Sequence, residues 1–279
     1  MSDDIQAAVG RRRTVSDHLV PRQAEMLAAT LDLEPSPGLA AGALPPGWHW
    51  IYFLDAPATG LVGADGRSVP GGFLPDTGLP RRMWGGGELI FHRPLRLGDL
   101  ATSEACLESV DEKQGRSGRF VVLKVHYALC DSGGLAVEER RDIVMREAAG
   151  HGEMPPRREP PGEAVWRREL TPSHMLLFRF SALTFNSHRI HYDADYVRDV
   201  EGYPDLLVHG PLLALLLLGH LAESCPGAAI RRFRYRAVAP LFVGRPLTLC
   251  GRPAGDGEAE LWVAGEDGGL AMQAEAAFD

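Results

Sequence analysis

The sequence has 279 residues, enough for one large domain or for two domains of about 140 residues, and either can bury a core. Its apolar fraction of 45% and charged fraction of 24% are ordinary for a soluble globular protein. The net charge is −8 and the arginines are scattered, which excludes nucleic acid as the main partner because no basic block could follow a phosphate backbone.

Targeting signals and cysteine usage favour the cytoplasm. The first residues lack a charged segment followed by an apolar one, so we predict no secretory signal. The longest aliphatic run, residues 212–218, is far shorter than the roughly 20 residues that a membrane span needs. The cysteines are widely separated and form no CxxC pair, which indicates reduced, mostly structural thiols: Cys106, Cys130, Cys225 and Cys250.

The first half predicts a helix, an irregular loop and then strands. Residues 20–33 have helical spacing, 48–54 form a short buried segment, and 71–87 are rich in glycine and proline, as irregular loops are. The following alternation of apolar and polar residues predicts strands at 88–93, 99–110, 118–130 and 135–146.

The second half predicts a strand at 173–184, a short helix at 193–199 and a long helix at 211–223. That long helix is apolar nearly all round, so it should be buried, and Pro211 suits its first turn. Four more strands are predicted at 230–238, 244–252, 258–265 and 269–277.

An internal repeat divides the chain. Pro94-Leu95-Arg96-Leu97-Gly98 recurs 146 residues later as Pro240-Leu241-Phe242-Val243-Gly244. Residues 151–165 are rich in proline and charge, as linkers are. We predict domains at 1–150 and 166–279, each an antiparallel sheet wrapped on one central helix. The fold class is therefore α+β, a double hotdog.

Three segments resemble the MaoC-like dehydratase and hydratase family. The first is Ser181-Ala182-Leu183-Thr184-Phe185-Asn186-Ser187-His188-Arg189-Ile190-His191-Tyr192-Asp193, and the second is Val208-His209-Gly210-Pro211. The third, residues 79–99, resembles the N-terminal domain of the two-domain branch. That branch contains mesaconyl-C4-CoA hydratase, itaconyl-CoA hydratase and the mitochondrial 3-hydroxyacyl-thioester dehydratase.

The resemblance implies catalytic roles for His191, Asn186 and Gly210. The (R)-specific hydratase motif has an Asp five residues before a His, and these places fall on Asn186 and His191. An amide can orient a water or a carbonyl but takes up no proton at neutral pH, so His191 would be the principal base. Gly210 matches the residue whose N–H polarises the thioester carbonyl.

The first half lacks these motifs and is implied to be degenerate, shaping a tunnel for the acyl group. Arginine suits both CoA phosphates and a substrate carboxylate, so Arg81, Arg82 and Arg189 are candidates for substrate binding. Trp84, in the same motif as the first two, is a further candidate.

Two histidines have structural alternatives. His188 and His191 are three apart, but no HExxH frame accompanies them, so we expect no metal and place His188 beside the substrate as a hydrogen-bonding residue. His209 could cap the long helix or act directly on the substrate.

We therefore predict a hydro-lyase that adds water reversibly to a 2,3-unsaturated CoA thioester. The branch suggests a C5 dicarboxylic substrate, itaconyl-CoA or mesaconyl-C4-CoA, giving citramalyl-CoA. The alternatives are a 3-hydroxyacyl-thioester dehydratase of fatty-acyl chains and a non-catalytic acyl-CoA-binding protein. CoA is part of the substrate and no other cofactor is expected; a homodimer is slightly preferred to a monomer.

Overall fold

The computed structural model describes residues 5–33, 37–115, 118–147 and 154–279. Within these ranges ten strands form one antiparallel sheet: β1 (Arg12–His18), β2 (Arg81–Phe91), β3 (Leu100–Gly115), β4 (Gly118–Asp131), β5 (Gly134–Arg146), β6 (Trp166–Leu170), β7 (Ile230–Ala237), β8 (Leu247–Gly255), β9 (Glu258–Ala264) and β10 (Leu270–Phe278). The α-helices are α1 (Pro21–Thr30), α2 (Pro37–Ala40), α3 (His174–Leu183), α4 (Ala194–Tyr196) and α5 (Gly210–Ser224), and α4 continues into a π-helical turn, Val197–Glu201.

The strand order shows a duplicated unit. Across the sheet it runs β1-β3-β4-β5-β2-β7-β10-β9-β8-β6, so the order in the first half is the mirror image of the order in the second. The halves join where β2 pairs with β7, from Gly86 opposite Arg236 to Ile90 opposite Arg232. This arrangement agrees with the predicted internal repeat.

The repeated five-residue motif makes equivalent contacts in both halves. Its final glycines, Gly98 and Gly244, have φ values of 90° and 73°, which favour glycine. The Gly98 N–H donates to the carbonyl of Leu19 and the Gly244 N–H to that of Pro172, both at 2.8 Å. Each motif thus ties the start of its half to the strand region that follows.

Helix α5 is the central helix of the second half and is buried on nearly every side. Just before α5, the Val208 N–H donates to Leu241 O. In the first half the Leu44 N–H donates to Leu95 O in the equivalent way, so the segment after Leu44 corresponds to α5. The segment after Leu44 forms only a short 3-10 helix, Trp48–Ile51. The prediction of one central helix in each half is therefore wrong for the first half.

Crowding explains the missing helix. A Cβ on Gly47 would lie 2.8 Å from the side chains of Leu215 and Leu218, so α5 already occupies the adjacent space. The buried rings of Trp48 and Trp50 fill the remainder, and one hydrophobic core joins both halves.

The predicted strand at 173–184 is wrong, because this segment is helix α3. The hydroxyl of Ser173 accepts a hydrogen bond from the Leu176 N–H at 3.1 Å and caps the helix. Leu177 and Phe180 are buried while Met175 and Phe178 are exposed, which is helical spacing. Because apolar residues occupy both the buried and the exposed positions, the sequence pattern did not show this helical period.

The predicted loop at 71–87 is wrong at its end, because β2 begins at Arg81 and includes the glycine triplet. A Cβ on Gly86 would lie 2.5 Å from Tyr235 O, and one on Gly87 would lie 2.5 Å from Arg140 O. Here the glycines permit close approach of neighbouring strands rather than a turn. Of the predicted linker, residues 154–165 are mostly exposed coil, and 151–153 lie outside the described residues.

Candidate active site

The loop from Thr184 to His191, which we call the His191 loop, begins at a defined helix end. The Asn186 N–H donates to Ser181 O at 2.8 Å and the Phe185 N–H to Ala182 O at 3.3 Å. This pair of bonds is a Schellman motif, in which the turning residue is usually glycine. Here Phe185 takes that place with φ 48°, a conformation that costs about 1 kcal/mol and is held by its surroundings.

His191 is a buried imidazole with Nδ1 fixed by a hydrogen bond and Nε2 not hydrogen-bonded to any described residue. Its Nδ1 lies 2.8 Å from the carbonyl of Leu207, which can only accept, so Nδ1 carries the hydrogen. Nε2 then keeps its lone pair. Burial lowers the pKa of His191 to about 4 and outweighs the opposing effect of the Leu207 hydrogen bond, so the ring is neutral at pH 7. This is the form that a general base requires.

His209 supports His191 through its ring. The two rings stack with centroids 3.6 Å apart and planes 16° from parallel. Nε2 of His209 lies 2.8 Å from Ser181 Oγ, while its buried Nδ1 has no partner among the described residues. His209 occupies the N-cap position of α5, but its side chain makes no capping hydrogen bond with the described residues, so of the two alternatives the structure gives no support to side-chain capping.

Asn186 and His188 line the same loop. The Asn186 Oδ1 accepts a hydrogen bond from the His188 N–H at 3.0 Å, which leaves the Asn186 amide group as the part able to meet a ligand. The His188 ring is perpendicular to that of His191, with centroids 5.7 Å apart. Burial, followed by the charge of Arg67, lowers the pKa of His188 to about 2, so it is neutral as well.

Gly210 begins α5 directly after His209. Its N–H has no acceptor among the described residues, as expected for the first turn of a helix. A Cβ at this position would lie 3.3 Å from the Cβ of Trp84, so the wall opposite Gly210 comes from the first half. The Trp84 indole N–H donates to Tyr235 Oη at 3.0 Å, which fixes that wall.

A turn of the first half, residues 63–67, holds the His191 loop from outside. The Arg189 N–H donates to Asp65 O at 2.9 Å, and the Ser187 hydroxyl donates to Gly66 O at 2.5 Å. Gly66 has φ 86°, and a Cβ on it would overlap with Ser187 O. Both halves therefore build the site.

The candidate arginines differ in their partners. Arg81 lies 3.1 Å from Glu201, and Arg189 makes hydrogen bonds of 3.0 and 2.8 Å to Asp193. Arg82 makes no hydrogen bond or ion pair with any described residue and is exposed to solvent. Because the charges of Arg81 and Arg189 are already compensated, the structure favours Arg82 as the ligand of an anion.

Sequence reasoning missed four parts of the site: Ser181, the Leu207 carbonyl, Gly66 and Arg67. Ser181 lies inside the quoted motif, but its contact with His209 requires the helix that was predicted as a strand. Nothing in the spacing of Gly66 relates it to a loop 121 residues away. No group of His, Cys, Asp or Glu in the described part of the chain is arranged to hold a metal ion.

Solved structures that are similar to this chain show its fold class. A MaoC-like dehydratase from Phytophthora capsici aligns with 99% of this chain and 98% of its own, with a TM-score of 0.69 at 16% identity. A Mycobacterium tuberculosis protein described as a double hotdog aligns over 97% and 96%, with a TM-score of 0.58 at 14% identity. The predicted double hotdog is confirmed.

The family follows from sequence. The model for hydroxyacyl-thioester dehydratase type 2 matches residues 47–243. The mesaconyl-C(4)-CoA hydratase of Chloroflexus aurantiacus is 42% identical over 98% of this chain and 97% of its own length. The chain belongs to the hydroxyacyl-thioester dehydratase type 2 family of MaoC-like proteins, and the resemblance drawn from the motifs is confirmed.

Proposed function

We propose that the protein is a hydro-lyase that adds water to mesaconyl-C4-CoA and forms citramalyl-CoA. The observation that carries the proposal is His191, a neutral buried imidazole whose Nδ1 is fixed by Leu207 and whose Nε2 is free. It lies beside a helix N-terminus whose first amide has no acceptor among the described residues. The 42% identity to a mesaconyl-C(4)-CoA hydratase over nearly the full chain supports the substrate class.

In the proposed reaction, His191 Nε2 takes a proton from water while the water oxygen forms a bond to Cβ. The π electrons of the Cα–Cβ double bond move towards the thioester and place negative charge on its oxygen. The N–H of Gly210 stabilises that charge, and one such donor lowers a barrier by roughly 3 kcal/mol. Cα then takes a proton, either back from His191 or through a water, so that the sum of the steps is the addition of one water.

Asn186 has a positioning role in this proposal. Its Oδ1 is engaged by the His188 N–H, so its amide N–H groups are free to orient the attacking water or the carbonyl. Trp84 forms the wall opposite Gly210 and confines the acyl group. CoA enters as part of the substrate, and the proposal includes no separate cofactor.

A dehydratase of 3-hydroxy fatty-acyl thioesters uses the same machinery in reverse and is the second candidate. The description of the matching family model favours it. The two candidates differ at the acyl end, because a free carboxylate requires a cation there and a fatty chain requires apolar walls. A non-catalytic acyl-CoA-binding protein is the third, and it predicts thioester binding without turnover.

Location and assembly are part of the proposal. All four cysteines are unpaired, which supports the cytoplasm. None of the described helices has both the length and the apolar character to cross a membrane. Exposed Met175 and Phe178 on α3, with Phe185 beside them, support a homodimer, which light scattering would test.

Turnover on mesaconyl-C4-CoA, itaconyl-CoA and crotonyl-CoA tests the proposal. We expect mesaconyl-C4-CoA to have the highest kcat/KM and citramalyl-CoA to be its product. A large preference for crotonyl-CoA would transfer support to the fatty-acyl dehydratase. Binding of all three thioesters with no turnover would instead favour the non-catalytic protein.

A further inference from the structure

Three arginines of the first half lie around the candidate site, two acting on His188 and the third over the Trp84 ring: Arg67, Arg82 and Arg141. The charges of Arg67 and Arg82 both act on His188, and those of Arg67 and Arg141 both act on Arg82. We call these three residues the arginine cluster. Arg67 Nη2 donates to Pro80 O at 2.7 Å, two residues before Arg82, and the turn that contains Arg67 bonds to Ser187 and Arg189, so this part of the cluster lies beside the His191 loop.

The geometry of β2 places Arg82 on the face of the strand that carries Trp84. Neighbouring side chains of a strand point to opposite faces, so Arg82 shares a face with Trp84 while Arg81 points the other way, towards Glu201. The irregularity in pairing with β5 lies beyond Trp84 and leaves this alternation intact. Since Trp84 packs against Gly210, Arg82 lies one strand step from the wall of the active site.

Two members of the cluster already have carboxylate partners. Arg67 Nε donates to Asp65 Oδ2 at 2.7 Å. Arg141 makes hydrogen bonds of 2.8 and 2.9 Å to Glu139 and lies between the rings of Trp84 and Tyr127. These two arginines therefore bring little unbalanced charge to the candidate site.

Arg82 has no such partner among the described residues, which leave the cluster with one positive charge in excess. Asp55, whose charge acts on Arg82, is itself paired with Arg13 at 3.2 Å. Nη1 of Arg67 is also buried without an acceptor among the described residues. Neighbouring protein and the charges of Arg67 and Arg141 lower the pKa of Arg82 to about 10, so it is charged at neutral pH, and its side chain is exposed and can be reached by an anion. A bound carboxylate would balance the excess charge of the cluster.

We propose that Arg82, assisted by Nη1 of Arg67, binds the free carboxylate of a dicarboxylic acyl-CoA and makes the site selective for it. The inference rests on the proposed function and names the residue that sets its specificity. In mesaconyl-C4-CoA the carboxylate is attached to Cβ, the carbon that water attacks, so its ligand has to lie beside the catalytic base. The CoA phosphates lie at the far end of the pantetheine arm from that carbon.

The test compares two substrates that differ only in this group. In 3-methylcrotonyl-CoA a methyl group replaces the carboxylate of mesaconyl-C4-CoA. We expect Arg82→Gln to lower kcat/KM for mesaconyl-C4-CoA by about 100-fold, mainly through KM, as expected for loss of one partner of a charge pair that the bound substrate covers. It should change kcat/KM for 3-methylcrotonyl-CoA by less than about threefold. For mesaconyl-C4-CoA, kcat/KM of Arg82→Lys should lie between those of the wild type and Arg82→Gln, because lysine keeps the charge but not the paired donors of the guanidinium.

Two controls keep the result interpretable. Arg234→Gln alters an exposed arginine on the outer face of β7 and should leave kcat/KM unchanged for both substrates. Affinities for citramalyl-CoA and for 3-hydroxy-3-methylbutyryl-CoA, measured by calorimetry, test the anion site without any turnover. Arg82→Gln should lower the affinity for citramalyl-CoA and leave that for 3-hydroxy-3-methylbutyryl-CoA unchanged.

Equal losses on both thioesters, or no loss on either, would overturn the assignment of Arg82. A wild-type protein that binds citramalyl-CoA through Arg82 but hydrates nothing would overturn the proposed function and leave the anion site standing. The two failures are therefore distinguishable.

Discussion

At the residue scale, the site depends on contacts that fix each group in one state. The Leu207 carbonyl selects the tautomer of His191, and burial keeps the ring neutral. The resemblance to MaoC-like proteins implied roles for His191, Asn186 and Gly210, because these residues stand at matching places in the family's motifs. It could not predict Gly66, whose contact with Ser187 joins the two halves.

Gly66 should be among the residues least tolerant of change. Gly66→Ala would place a methyl group against Ser187 O at a backbone φ that favours glycine, so the His191 loop has to shift. Displacement of about 1 Å can cost about 100-fold in rate, so we expect kcat to fall by that order while the fold persists. Steady-state kinetics with thermal unfolding measures both.

The matched control is Gly60→Ala in the same region, where a Cβ would meet no atom within 4 Å. If the Gly66 and Gly60 variants were equally active, the first half would not hold the His191 loop in place.

At the element scale, long patterned segments were predictable and short or crowded ones were not. Helix α5 and the strands β3 to β5 and β7 to β10 lie close to their predicted bounds because their apolar period is sustained. The edge strands β1 and β6 were missed, since both alternate only between exposed and half-exposed residues. Helix α3 was misassigned because an apolar run has no clear period.

Helix α3 carries Ser181, which we expect to affect kcat by holding the His209 ring against His191. Ser181→Ala removes the only hydrogen bond that the described residues give to the His209 ring, and His209 stacks on His191. We expect kcat to fall about tenfold, equivalent to about 1.4 kcal/mol, with a small change in KM.

Ser173→Ala is the control on the same helix. It removes the cap of α3 and should lower the free energy of unfolding by about 1 kcal/mol without lowering kcat. Parallel losses of kcat in both variants would mean that Ser181 acts only through helix stability.

At the scale of the whole molecule, the proposed function uses one site to which both halves of the duplicated fold contribute. The second half supplies the base and the helix terminus, while the first supplies the wall, the turn at 63–67 and the arginine cluster. The repeat of Pro94–Gly98 predicted the duplication, but not that α5 would exclude a second central helix. That outcome depends on the packing of Gly47 against Leu215 and Leu218.

Burial of neutral histidines should also make stability depend on pH. His188, His191 and His209 all have pKa values lowered chiefly by burial, to about 2 for His188 and about 4 for His191. The unfolded chain therefore binds more protons below its histidine pKa of about 6.5, and stability falls as pH falls. Each histidine contributes a slope of about 1.4 kcal/mol per pH unit.

Urea unfolding at intervals from pH 7 to pH 4.5 measures this slope. Asp131 and Glu139, whose pKa values of about 2 lie below those of the unfolded chain, begin to lose their contribution at about pH 5, so the histidine slope is taken from the points above that pH. His191→Gln should remove roughly a third of the slope. A free energy of unfolding that stays constant over the window would contradict the burial of three neutral rings.

The central claim is that His191 removes a proton from water as the oxygen bonds to Cβ. Mesaconyl-C4-CoA turned over in ¹⁸O-labelled water, with product analysis by mass spectrometry, tests it most directly. We predict that the wild type, and His18→Gln at an exposed position of β1, form citramalyl-CoA with one ¹⁸O in its hydroxyl. His191→Gln should form it about 1000-fold more slowly while still binding citramalyl-CoA. A His191→Gln variant that works within about threefold of the wild-type rate would contradict the account.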